Sequence, residues 1–202
     1  MNISKKFSIR KFFSTFADLF FKHKMQKEIV LLIGGPGTGK STLMKVLSEK
    51  GQVCYPEISR QITLEAQKQG TEQLFLKDPL LFSQKLLEGR IGQYQNALSE
   101  QANLVFIDRG IPDILAYMHF IGDKNYPQHF TQACCDYRYT KLFILPVWKD
   151  IYLSDNERYE DFEQAQQIQK HLVETYQNFG YQLIEVPKDT PENRADFVLK
   201  HF

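Results

Sequence analysis

Apolar residues gather in five short runs along the chain and recur at helical spacing between them. Ile29-Val30-Leu31-Leu32-Ile33 is the clearest run. It is too short for a helix and rich in β-branching, which fits a strand buried on both faces. The other predicted strands are Gln52–Tyr55, Leu104–Ile107 (ended by Asp108), Lys141–Pro146 and Tyr181–Val186. After the first run, Leu43, Val46 and Leu47 fall at helical spacing, with Lys45, Glu49 and Lys50 between them. Further helices are expected over about 58–69, from Pro79 behind an Asp78 cap, from Gly110 to about Phe120, over 126–138, over 161–179, and after a Thr190 cap. The helix from Pro79 carries Leu80, Leu81, Leu86, Leu87, Ile91 and Leu98 as apolar positions and Gln84, Arg90, Gln93 and Gln95 as polar ones. Its Gly89 and Gly92 predict a bend or a close approach. Arg90 either faces the acceptor pocket or is a solvated arginine, the second being the preferred reading. Residues 70–77 read as a loop, and 147–159 show no period.

Between the first strand and its helix stands Gly34-Gly35-Pro36-Gly37-Thr38-Gly39-Lys40-Ser41, a full match to G-x-x-x-x-G-K-[ST]. A strand before and a helix after are the context that gives this pattern meaning. Glycines let the backbone take positive φ and come close to a polyphosphate, so that successive N–H groups converge on the anion. The helix N-terminus adds unpaired N–H groups and the positive end of its dipole. Gly35, Pro36, Gly37, Thr38, Gly39, Lys40, Ser41 and Thr42 are therefore the expected nucleotide-binding residues. Lys40 would reach the β- and γ-phosphates, and Ser41 would offer its hydroxyl to Mg²⁺. The alternative is a glycine-rich turn without a ligand.

Ligands of open α/β sheets gather at the carboxyl ends of the strands, where Glu57 and Asp108 both stand. Glu57 follows the second strand and is expected to act on the substrate, the alternative being an acid that complements a helix N-terminus. Arg60, one helical turn on, is a candidate substrate contact. Asp108, behind four apolar residues, completes a phosphate-loop site as a metal-holding acid, usually through water. Arg109 either touches the acceptor or phosphate or pairs with an acidic neighbour. The charged stretch around Asp155, Glu157 and Arg158 precedes a long polar helix, as a lid over about 147–165 would. Arg158 would then stabilise charge on the transferring phosphoryl group, unless it pairs with an adjacent acid. The loop after Pro187 is where an adenine base would rest.

Composition narrows the class. The 202 residues are 43% hydrophobic and 24% charged, ordinary for one soluble domain, and no run is long enough to span a membrane. Cys54, Cys134 and Cys135 fit neither a disulfide framework nor a zinc site and read as buried thiols in a reducing, cytoplasmic setting. The net charge of +1 is uneven: residues 1–24 hold six Lys and Arg against Asp18, a balance of +5, which leaves the remainder at −4. A slightly acidic body without a basic stripe argues against a nucleic-acid partner. Residues 1–24, with Phe12, Phe13, Phe16, Leu19 and Phe20 at helical spacing, form a basic aromatic extension. It reads as accessory or added, ahead of membrane-surface contact or a targeting leader. The main domain is expected over 25–202.

Taken in order, the blocks IVLLIGGPGTGKST, YPEISRQI, VFIDRGIPD, DNERYEDFEQA and GYQLIEVP resemble the NadR-like AAA domain family, small P-loop proteins related to a ribosylnicotinamide kinase domain. The resemblance runs from about Gln26 to the C-terminus. It implies an α/β, three-layer P-loop NTPase fold with a five-stranded parallel sheet in the nucleoside-kinase order 2-3-1-4-5. It implies Glu57 and Asp108 near the γ-phosphate and metal, with Arg158 in the lid. The catalytic set is then Lys40, Glu57, Asp108 and Arg158, with ATP and Mg²⁺ as cofactors. Two activities follow. One is a kinase moving the γ-phosphate of ATP to a small hydroxylated metabolite such as a nucleoside. The other is a nucleotide-dependent ATPase or GTPase switch acting on a protein or membrane partner.

Overall fold

The computed structural model describes residues 27–71, 73–152 and 160–202. The basic extension therefore lies outside the described residues.

Five strands, β1 (Glu28–Ile33), β2 (Val53–Tyr55), β3 (Leu104–Asp108), β4 (Lys141–Ile144) and β5 (Leu183–Glu185), form one parallel sheet in the order β2-β3-β1-β4-β5. The helices are α1 (Lys40–Glu49), α2 (Ser59–Lys68), α3 (Leu74–Lys77), α4 (Pro79–Ser99), α5 (Ile111–Phe120), α6 (Gln128–Asp136), α7 (Phe162–Asn178) and α8 (Pro191–Leu199). Each strand needs a crossover to reach its parallel neighbour, and the helices supply it on both faces.

The period of two along the strands divides the core. Ile29, Leu31, Ile33, Val105, Ile107, Leu142 and Ile144 pack on one face against Ala97 of α4, Ala116 of α5 and Leu172 and Tyr176 of α7. Val30, Leu32, Phe106 and Phe143 pack on the other against Leu43 and Leu47 of α1 and Ala195 and Val198 of α8. Both faces of β1 are thus covered, and Val30 to Ile33 are fully buried, each such side chain contributing roughly 2 kcal/mol by leaving water. A third cluster, with Ile62, Leu87, Leu115 and Phe130, joins α2, α4, α5 and α6 beside the sheet.

The helix starts follow their caps. Asp78 accepts a bond from the N–H of Leu81 (2.9 Å), and Asp161 and Gln164 bond each other's backbone N–H groups at the start of α7. Thr190 caps α8. Three expectations need correction. Residues 70–77 are not all loop: α3 forms one turn there because Leu74 has a buried site and Asp78 ends it. Of the cysteines only Cys134 is buried; Cys54 is half-buried and Cys135 exposed, since consecutive helical residues point about 100° apart. Arg90 is not solvated: it is 4% exposed. On Gly89 a side chain would meet Ile58 Cδ1 at 2.6 Å, so this glycine lets α4 approach the chain leaving β2. That approach turns Arg90 and Gln93 inward, where Gln93 Nε2 donates to the carbonyl of Pro56 (2.8 Å).

Candidate active site

Strand order reverses at β1, whose neighbours β3 and β4 continue to opposite edges, and a crevice opens beyond its carboxyl end. The glycine-rich loop enters that crevice. Gly37 and Gly39 have φ of 72° and 85°, the left-handed region that favours glycine. The helix begins with the N–H of Leu43 bonded to Gly39 O, which leaves the N–H groups of its first turn without helical acceptors.

Lys40 folds over this loop. Its Nζ donates to the carbonyls of Gly34 (2.7 Å) and Gly35 (2.9 Å), and lies 3.3 Å from Thr38 Oγ1. Burial, with repulsion from Arg109, brings its pKa down to about 8, against the pull of Asp108, Asp113 and Glu57. An anion on the loop would favour its charged form further. The N–H of Gly35 already donates to Gln169 Oε1 (2.8 Å), while Pro36 to Thr42 line the cavity beyond.

Parallel register brings the acids alongside. Leu32 pairs with Asp108, and the N–H of Arg109 donates to Leu32 O (3.1 Å), so the end of β3 sits beside the loop. Asp108 is buried, and its Oδ1 has no hydrogen-bond partner among the described residues. Burial pushes its carboxyl up, opposed by Lys40 and Arg109. Among the described residues no group of three or more His, Cys, Asp or Glu could hold a metal by itself. An orphaned carboxylate oxygen in the cavity that Ser41 also lines suits instead a hard cation that takes its other ligands from phosphate and water.

Glu57 Oε1 accepts from the N–H groups of Ile58 (3.0 Å) and Ser59 (3.1 Å), so the helix-terminus role is real. The same carboxylate faces Arg109 Nε at 2.5 Å and Arg90 Nη2 at 3.4 Å. Burial works to raise its pKa, but Arg90 and Arg109, with the Ser59 N–H, hold it below the ordinary value. Arg109 has φ 69°, uncommon for a residue with a side chain. It is held there by Glu57, by Asp113 Oδ1 (3.4 Å) and over the ring of Tyr117. Asp113 is fully buried and accepts from the N–H of Gly110 (2.9 Å) and the hydroxyl of Tyr176 (2.5 Å). Arg90 Nη1 donates to Gly110 O (2.6 Å).

These groups meet one cavity of about 420 Å³. Lys40, Asp108, Glu57 and Arg109 line it, Arg60 and Glu160 border it, and Phe75, Phe82, Ile114 and Met118 give it an apolar wall. Arg158 and the centre of the expected lid lie outside the described residues. Sequence reasoning missed Asp113, Gln169 and Tyr176, and preferred solvent to the pocket for Arg90. The glycines flanking Arg90, and an acid in the first turn of α5, were the available signals.

The model of the AAA domain family matches residues 29–194, from the first strand into the last helix. The chain belongs to that family. No match to a curated protein is found. Among solved structures it is similar to the NadR protein in complex with NR (TM-score 0.67, 16% identity, 87% of this chain and 51% of that one). It is also similar to deoxyadenosine kinase from M. mycoides with dCMP (0.64, 16%, 86% and 97%) and thymidylate kinase from Candida albicans (0.63, 14%, 87% and 91%). Shared architecture at such identities shows the fold, a P-loop kinase fold with the expected strand order.

Proposed function

We propose that this protein is a kinase that transfers the γ-phosphate of ATP to a hydroxyl group of a small metabolite, a nucleoside being the best-fitting class. One observation carries the reading: the anionic Glu57 lies on the wall of a cavity that continues from the phosphate loop into an apolar recess. A switch that hydrolyses nucleotide needs room for a water, whereas this cavity extends past the phosphate loop to Phe75, Phe82, Ile114 and Met118, the kind of apolar wall a small-molecule site has. Similar structures carry such ligands, NR in one and dCMP in another.

The loop N–H groups and Lys40 would hold the β- and γ-phosphates in line with the acceptor, since phosphoryl transfer is mostly positioning and charge neutralisation. Ser41 and Asp108 would hold Mg²⁺, which supplies neutralisation of the phosphate oxygens. Glu57 orients the acceptor hydroxyl and takes its proton as the oxygen bonds to the γ-phosphorus and the bond to the leaving ADP oxygen breaks. Arg109 and Arg60 would contact the acceptor, and Arg158 would close from the lid. The domain comprises 25–202, with 1–24 accessory to it. No helix among the described residues is long and apolar enough to cross a membrane, and free thiols suit a reducing cytoplasm.

Steady-state ADP release from Mg-ATP, in the parent chain and in Lys40→Ala, tests the site. Loss in the variant with an unchanged thermal unfolding midpoint supports it; equal turnover overturns it.

A further inference from the structure

Every buried charge described so far has an opposite charge nearby, with one exception on the other face of the sheet. Arg194, in α8, is 4% exposed. Its Nη1 donates to the carbonyl of Thr38 at 3.0 Å. Its Nε and Nη2 are buried without a hydrogen-bond partner among the described residues. Burial pushes its pKa down, and no carboxylate opposes that. A guanidinium so placed is costly unless something offsets it.

The bond to Thr38 has a geometric consequence. A trans peptide is planar, with its C=O and N–H directed oppositely. With Thr38 O turned toward Arg194, the N–H of Gly39 points away from that guanidinium, and both residues of the peptide line the cavity. Gly39 has φ 85°, and a side chain there would come within 2.9 Å of Arg194 Nη1. Glycine therefore serves both the turn and the approach of the arginine. It also leaves the Thr38–Gly39 peptide free to rotate, a freedom that the arginine removes. A cation on the carbonyl further polarises the N–H at the opposite end of the same peptide.

We propose that Arg194 is a positioning residue of the anion cradle: it fixes the Thr38–Gly39 peptide with its N–H toward the bound polyphosphate and places an uncompensated positive charge behind it. The inference rests on the loop being a nucleotide site. It assigns Arg194 to the phosphates, common to any nucleoside triphosphate, and not to the base.

Calorimetric titration with ATP and with inorganic tripolyphosphate tests this on the parent chain, Arg194→Met and Arg194→Lys. Thermal unfolding of each variant serves as a folding control. The parent should bind both ligands. Arg194→Met should weaken both by the same factor, roughly tenfold to a hundredfold for one charge-assisted bond. Arg194→Lys, which keeps a donor and the charge, should recover part of that loss. The amide resonance of Gly39 should move in Arg194→Met. Unchanged tripolyphosphate affinity in a folded Arg194→Met overturns the proposal, and so does a loss confined to ATP, which would make Arg194 a base contact. If Arg194→Met does not fold, Arg194→Lys decides, parental affinity with an unmoved Gly39 resonance counting against the proposal. If the parent binds neither ligand, the nucleotide reading itself fails.

Discussion

Glu57 Oε2 and Arg109 Nε lie 2.5 Å apart at the carboxyl ends of neighbouring strands, and both line the cavity that the phosphate loop enters. Arg109 adopts φ 69° to reach this position, a conformation that a side chain disfavours and that Glu57 and Asp113 together hold. Glu57→Gln removes the charge and keeps the shape. Acceptor-dependent turnover should fall by about a hundredfold or more, the scale of a lost general base, while ATP affinity measured by calorimetry changes little. Equal losses in both would make Glu57 a structural residue.

The same carboxylate predicts a pH dependence of stability. Its folded pKa lies below the ordinary value of 4.5, because Arg90 and Arg109 outweigh burial. Below pH 4.5 the unfolded chain therefore takes up this proton first. The stabilisation is complete above that pH and is lost as pH falls through the folded value. Glu57→Gln should lose less stability than the parent between pH 5 and pH 3, as read by urea midpoints. Parallel loss in both proteins would show that the pair is not linked to folding.

Tyr176 reaches from α7 to the buried Asp113, and Asp113 holds Arg109 and the N–H of Gly110. Tyr176→Phe removes one bond to a carboxylate that cannot reach water, a cost of about 1–3 kcal/mol. Acceptor KM should rise and the KM for ATP should stay near its parental value. A matching rise in both would place the effect in the whole fold.

Arg90 bridges Gly110 O and Glu57 from the middle of α4. Arg90→Met leaves the carboxylate with one arginine where it had two. Breaking such a buried pair costs about 3 kcal/mol, which chemical denaturation would register. A change below about 0.5 kcal/mol would show that the bridge adds nothing to folding.

The fold was legible because its determinants are local. Ile29 to Ile33 could only be a doubly buried strand, and the glycines, Lys40 and Ser41 after it carry their chemistry in their spacing. Glu57 and Asp108 were legible from their places at strand ends. Gln93 was not, and Arg90 only as the less favoured reading, because a polar residue in a long helix faces water unless another segment brings it carbonyls, and here those come from Pro56 and Gly110. Asp113 stands in the first turn of α5, and its bond to Tyr176, 63 positions away, could not be read from that place. Arg194 was invisible for the same reason, its partner being 156 positions earlier.

The most direct measurement is ADP release from Mg-ATP by the purified protein, with and without a panel of nucleosides that includes ribosylnicotinamide. The account predicts that one acceptor accelerates release and leaves the reaction carrying one added phosphate. Slow release, indifferent to every acceptor offered, would contradict it.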